Sequence, residues 1–244
     1  MKKLLILIVI AFTINTNAQE SVLLRLNYKK GDSYEMNMKM SQDMGAAMSM
    51  DMGMKMKQNI TNVAGDTYMS EMKITQISMD MSQGGMNMSY DSSKSDEELD
   101  ATGKMMKGQM EPMLQAVITV KGNKIGEIIE TTVVPDIPGT SDFAKQSSNI
   151  VYPKKVVRVG DTWAINKSDK GMTMNFTYKV KSITKNNVLL DISGVVSGAG
   201  EGTITGDIKV ERNSGVPLIS NINMKIVVQG QDMVTKMTAT MTKQ

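Results

Sequence analysis

The side chains best placed to do chemistry in this chain are methionines, 26 among 244 residues, in a sequence that contains no histidine and no cysteine. From Met36 to Met56 the sequence reads MNMKMSQDMGAAMSMDMGMKM, and all nine of its methionines occupy even positions. Alternate residues of a β-strand point to opposite faces, so this parity places the thioethers on one side of a pleat. The intervening positions, including Asn37, Lys39, Ser41, Asp43, Ser49, Asp51 and Lys55, make the other side mostly polar. Three uses of such a face are open. Flexible, polarizable thioether chains can line a cavity that moulds to a lipid, an acyl chain or an apolar peptide. The candidate contacts are Met36, Met38, Met40, Met48, Met50, Met52, Met54 and Met56, with Trp163 and Tyr34 at the rim. Thioethers are also soft ligands for Cu(I), for which Met48, Met52 and Met56 are the set to test. The third use is plain packing, because a chain with only ten aromatic residues must fill its core with something. A buried methionine loses up to about 1.5–2 kcal/mol of side-chain entropy, so a run of same-face methionines invites the cavity as an explanation beside the plain core.

Catalysis finds little support in the residue types. Histidine and cysteine supply most general bases, thiol nucleophiles and tight metal ligands, and both are missing. Asp96, Glu97, Glu98 and Asp100 cluster as the solvated first turn of a helix would. Ser92, Ser93 and Lys94 lack a Ser-x-x-Lys spacing, and the glycines between Ser197 and Gly202 sit between alternating strands rather than before a helix. The expectation is a non-enzymatic protein without a cofactor. Nucleic acid is excluded as a partner by charge. Setting aside Lys2 and Lys3, which belong to the leader described next, leaves 26 basic against 25 acidic residues, with no basic cluster interleaved with aromatics.

These faces must be positioned by an exported β-protein. Lys2 and Lys3, the apolar run from Leu4 to Phe12 and a small polar stretch to Ala18 have the form of a secretory signal peptide. The apolar run is about nine residues, against roughly twenty for a bilayer span, so residues 19–244 are expected as a soluble periplasmic or extracellular product. Without cysteine that product has neither a disulfide nor a lipidated N-terminal Cys. Period-two alternation then recurs along the chain, cut by turn signals at Gly31-Asp32, Gly65-Asp66, Gly84-Gly85, Gly122-Asn123, Asn186-Asn187 and Gly215. About a dozen antiparallel strands result, closing as a β-barrel or remaining a curved half-barrel. One helix is expected near residues 95–115, capped by Ser95 and carrying Leu99, Met106, Met110, Met113 and Leu114 on one stripe. The segment Pro135–Pro153 is the most plausible loop, dividing the single domain into two halves, 19–134 and 150–244. Gly31-Asp32-Ser33-Tyr34 and Gly160-Asp161-Thr162-Trp163 give those halves a short internal repeat.

The stretches KKGDSYEM, ITVKGNKIGEI and YPKKVVRVGDTW, with the leader and the closing Met-containing hairpins, resemble an uncharacterised secreted family common in Bacteroidetes, a domain of unknown function. That resemblance implies no reaction, cofactor or site residue. In architecture, a curved sheet interrupted by a helix is similar to the periplasmic half-barrels that carry lipoprotein acyl chains, which implies a hydrophobic guest.

Overall fold

The computed structural model describes residues 20–137, 150–169, 171–228 and 230–244. The leader expected at residues 1–18 and most of the Pro135–Pro153 loop lie outside the described residues. The first half runs β1 (Ser21–Val22), β2 (Ser33–Asp43), β3 (Met48–Ala64), β4 (Thr67–Gln83), β5 (Met86–Asp91), α1 (Ala101–Gln115), β6 (Val117–Asn123) and β7 (Ile128–Val134). The second runs β8 (Val157–Arg158), β9 (Thr162–Asp169), β10 (Met172–Ile183), β11 (Asn187–Gly198), β12 (Glu201–Glu211), β13 (Pro217–Val228) and β14 (Gln231–Lys243).

Twelve strands form one antiparallel sheet in the order β7-β6-β4-β3-β2-β14-β13-β12-β11-β10-β9, with β5 beside the far half of β4. The sheet does not close, since β7 and β9 are its two ends, and the fold is a curved half-barrel. β1 and β8 pair separately. The β3–β4 and β4–β5 hairpins turn where the sequence signals them, with Gly65 at φ 57° and Gly84 and Gly85 at φ 57° and 83°, conformations that glycine adopts without a Cβ penalty, whereas the turn expected at Gly122-Asn123 falls later, at Gly126 (φ 92°), because both of those residues pair within β6.

Curvature has a residue-level cause in β11 and β12. A Cβ on Gly194 would stand 2.7 Å from the carbonyl oxygen of Asn175, and one on Gly202 or Gly206 would collide with the carbonyl of Lys225 or Asn221 on the next strand. The sheet bends this tightly because those side chains are absent.

The curl brings β2, β3 and β4 to the same core as β10, β11 and β12. At the end of the half-barrel where β2 begins and β3 ends, which we call the base, Tyr34, Ile60 and Tyr68 pack with Val180, Val188, Leu190, Ile192, Ile208 and Val210. The space between is filled by the chain on either side of the β1–β8 pair, through Val22, Leu24, Leu26 and Tyr28 from one side and Tyr152 and Val157 from the other. No buried member of this base core is a methionine.

Helix α1 starts six residues later than expected. Its cap is Asp100, whose carboxylate accepts from the Gly103 amide at 2.7 Å, while Ser95 closes a preceding turn by donating to Glu98 from both its amide (2.8 Å) and its hydroxyl (3.0 Å). Two acceptor side chains compete for the start, and the one adjacent to the apolar stripe caps the helix. The two Gly-Asp turns are built alike. Lys29 and Arg158 each donate their amide to the following aspartate (2.9 Å in both), and Gly31 and Gly160 share φ 91°.

Candidate functional site

The inner face of the sheet is chemically divided along the strands. Away from the base it turns to methionine. On one side, α1 lies across β4 and β5, and Met38, Met54, Met56, Ile77, Met79, Tyr90, Leu99 and Met106 are buried beneath or within it. Around them Met36, Met50, Met52, Met88, Met110 and Met113 remain half-buried. Across the sheet, on β10 to β14, Val196, Ile204 and Ile226 are buried, while Met172, Met174, Phe176, Ile222, Met224 and Met233 around them are half-exposed. The result is an apolar inner wall that is Tyr, Leu, Ile and Val at its base and methionine toward its mouth.

Antiparallel register aligns these side chains into rows that run across the strands. One row is Tyr90, Met79, Met52, Met40, Met237 and Ile222, then Gly206, Ile192, Tyr178 and Trp163. Nearer the mouth lies Lys167, Met174, Val196, Gly202, Ile226 and Met233. Gln42 reaches the end of this second row, its side-chain amide donating to the Met233 sulfur at 2.9 Å. Lys167 thus shares a face with apolar side chains, and burial holds its ammonium below the ordinary lysine value.

The eight expected contact methionines divide by coverage. Met38, Met54 and Met56 are buried in the cluster that includes Met106 of α1, whereas Met36, Met40, Met48, Met50 and Met52 are partly open. Trp163 lies on the opposite side of the sheet. It stacks on Tyr178 with ring centroids 5.3 Å apart and donates its indole N–H to the Val151 carbonyl at 2.9 Å, which makes it an anchor against the base core. Tyr34 is likewise inside that core. Met48, Met52 and Met56 follow one another along β3, so consecutive members stand about 13 Å apart, too far for three sulfurs to share one ion. Thioethers that do neighbour one another come from different strands, as Met79, Met52, Met40 and Met237 do. Among the described residues no group of three acidic side chains is placed to hold a metal ion.

Lys167 and the β10–β14 half of the wall escaped notice in the sequence, although Trp163, Ile165 and Lys167 share a parity that would have revealed the lysine. Among the described residues no helix is long and apolar enough to cross a membrane.

Comparison with known proteins agrees on the fold and leaves the activity open. A family model described as "Family of unknown function (DUF6263)" matches residues 141–231, most of the second half of the chain. No curated protein matches the chain. The solved structure described as "Lipid-protein interactions in lipovitellin" is similar with a TM-score of 0.55 at 10% identity, over 89% of this chain and 25% of that one. The chain therefore spans about a quarter of the length of that structure, and at this identity the likeness is one of fold.

Proposed function

We propose that the protein is an exported, non-enzymatic binder of hydrophobic molecules, holding an acyl chain or similar lipid against the methionine-lined inner wall of its half-barrel. The observation that carries this reading is the segregation of methionine. The buried residues of the base core are all Tyr, Leu, Ile or Val, so the chain fills that core without methionine. The thioethers instead gather toward the mouth, where Met38, Met54, Met56, Met79 and Met106 are buried and those around them on β2, β3, β10, β13 and β14 are half-exposed, so that adaptable side chains meet whatever enters. A concave, mostly apolar wall is the usual form of a small-molecule site. The lipovitellin likeness supports the reading, since that structure is described by its lipid interactions and shares the fold.

Native mass spectrometry of the protein purified from cells, with organic extraction of the same sample, tests this directly. A co-purifying lipid is expected, and a bare mass together with failure to take up a fluorescent fatty-acid probe would count against it. Met50→Asp with Met52→Asp places two charges on the partly open wall, so probe uptake should fall at least tenfold while circular dichroism stays unchanged. Uptake that survives those two charges would move the site elsewhere.

The row Met79, Met52, Met40 and Met237 supports Cu(I) as a second reading, because each soft donor stands about 5 Å from the next on one face, close enough for neighbouring pairs to share an ion. Elemental analysis of the same purified sample distinguishes the two, with copper near one equivalent favouring the metal.

A further inference from the structure

We infer that the outer side of the β1–β8 ribbon docks on an anionic phospholipid bilayer, with Leu23 and Val156 entering the headgroup region and Arg25, Lys154, Lys155 and Arg158 meeting the lipid phosphates. The ribbon is longer than its two paired residues. Ser21 and Val22 stand opposite Arg158 and Val157, and further along the Arg25 guanidinium donates to the Pro153 and Lys154 carbonyls at 2.8 Å each. The two segments thus run side by side in one register from Ser21 and Arg158 to Arg25 and Lys154, which sets Leu23 opposite Val156. Alternation sends Val22, Leu24 and Val157 into the base core and leaves the other side to Leu23, Val156, Lys154 and Arg158, all of them exposed. Leu23 is 47% and Val156 49% exposed, an apolar pair with cations at both ends.

Those cations are not neutralised within the fold. Among the described residues Lys154, Lys155 and Arg158 form no ion pair, and the Arg25 guanidinium bonds to the Leu24, Pro153 and Lys154 carbonyls rather than to a carboxylate. The two carboxylates beside the ribbon are engaged, Glu20 with Arg212 at 3.2 Å and Asp161 with the Arg158 amide at 2.9 Å. Five cations therefore stand here with two carboxylates. Residues 19–244 carry 26 basic and 25 acidic residues, so the rest of them is left with 21 and 23. A charge divided in this way turns the ribbon toward an anionic surface and the remainder of the molecule away from it. Each Lys or Arg held near an anionic leaflet strengthens binding by roughly fivefold. A bilayer surface uses both parts of the ribbon at once, apolar side chains below the phosphates and cations beside them, whereas an acidic polymer uses the cations alone. The inference does not depend on whether the methionine wall holds a guest.

Co-sedimentation of the full chain with phospholipid vesicles tests this. Vesicles containing about a third phosphatidylglycerol should bind at least tenfold more tightly than pure phosphatidylcholine, and about 0.5 M salt should remove most of that preference. Lys154→Gln, Lys155→Gln and Arg158→Gln together should weaken binding to the anionic vesicles about a hundredfold. The same loss of charge at exposed positions elsewhere, Lys39→Gln, Lys225→Gln and Lys236→Gln, should weaken it less than about fivefold. Leu23→Ser with Val156→Ser should weaken it about tenfold and leave its salt dependence as it was. All these side chains are exposed, so thermal melts of the variants should match that of the unaltered protein. Equal binding of the unaltered protein to both vesicle types, or equal losses in the two glutamine variants, would overturn the docking surface. Full binding by the double serine variant would overturn the insertion of Leu23 and Val156. Binding to polyglutamate that is lost with the ribbon cations, without binding to vesicles, would give the ribbon to an acidic polypeptide and overturn the bilayer as its partner.

Discussion

Tyr28 and Tyr152 are both buried in the base core, yet their hydroxyls have different fates. Tyr152 donates to the Gly215 carbonyl at 2.7 Å, whereas the Tyr28 hydroxyl has no hydrogen-bond partner among the described residues. Burial raises the pKa of both phenols well above the usual tyrosine value, so both stay neutral. Removing a made bond strands its acceptor, while removing an unmade one relieves a desolvation penalty. Tyr152→Phe should therefore cost about 1–2 kcal/mol in urea denaturation and Tyr28→Phe should be neutral or stabilising. An equal loss in both variants would show that the Tyr28 hydroxyl is satisfied in solution. Tyr28 contributes instead through its ring, edge-on to Tyr34 at 5.5 Å and to Tyr68 at 4.9 Å, which joins the N-terminal segment to β2 and β4.

Helix α1 decides which methionines meet solvent. Its Met106 is 4% exposed, and Gly103 lets its first turn approach β5, where a Cβ would stand 3.1 Å from the Ser89 carbonyl oxygen. Pro112 and Gly108 lie in the same helix and make its intrinsic propensity poor, so it holds its place mainly through the cap and its packing. Asp100→Ala removes the cap and should cost about 1 kcal/mol of local stability. Peroxide mapping by mass spectrometry reads this out, since thioethers oxidise according to access. Met36, Met40, Met50 and Met52 should oxidise before Met38, Met54 and Met56 in the unaltered protein, and the difference should narrow in Asp100→Ala. A difference that stays the same would mean the helix is held without its cap.

At the scale of the molecule, the half-barrel is held in shape by a segment outside the large sheet. Residues 23–29 cross the base between its two walls, with the Leu26 amide donating to Lys124 and the Asn27 amide to Ser214, both at 2.8 Å. The Arg25 guanidinium ties the same segment to the Pro153 and Lys154 carbonyls at 2.8 Å each. Val22, Leu24, Leu26 and Tyr28 are buried there, and each such side chain contributes about 1.5–3 kcal/mol. Their sum is comparable with the about 5–15 kcal/mol by which a domain is stable. A chain lacking residues 20–28 should therefore show no cooperative thermal transition, and a sharp transition near that of the full chain would refute this role. Because this plug anchors the walls at the base, the mouth can stay lined with soft side chains without loss of the fold.

Strand parity, turn chemistry and the single helix were legible in the sequence because each depends on residues near one another in the chain. Even positions from Met36 to Met56 do share a face, and the Gly65 and Gly84-Gly85 turns fall where their signals stand. The division of those methionines into buried and open ones depended on packing among β2, β3, β4, β5 and α1, which are distant in sequence, so only the tertiary structure decided it. Register was equally hidden, since near-identical Met strands keep their apolar face when slipped by two residues, and bulges at Lys55/Met56 and Ile60/Asn62 reset the alternation within β3 and β4. Trp163 illustrates the limit: its type suggested a rim, but its stacking on Tyr178 and its bond to Val151 place it against the base core. Composition and local periodicity thus determined a β-protein with one soft apolar face, and long-range pairing decided where that face is open.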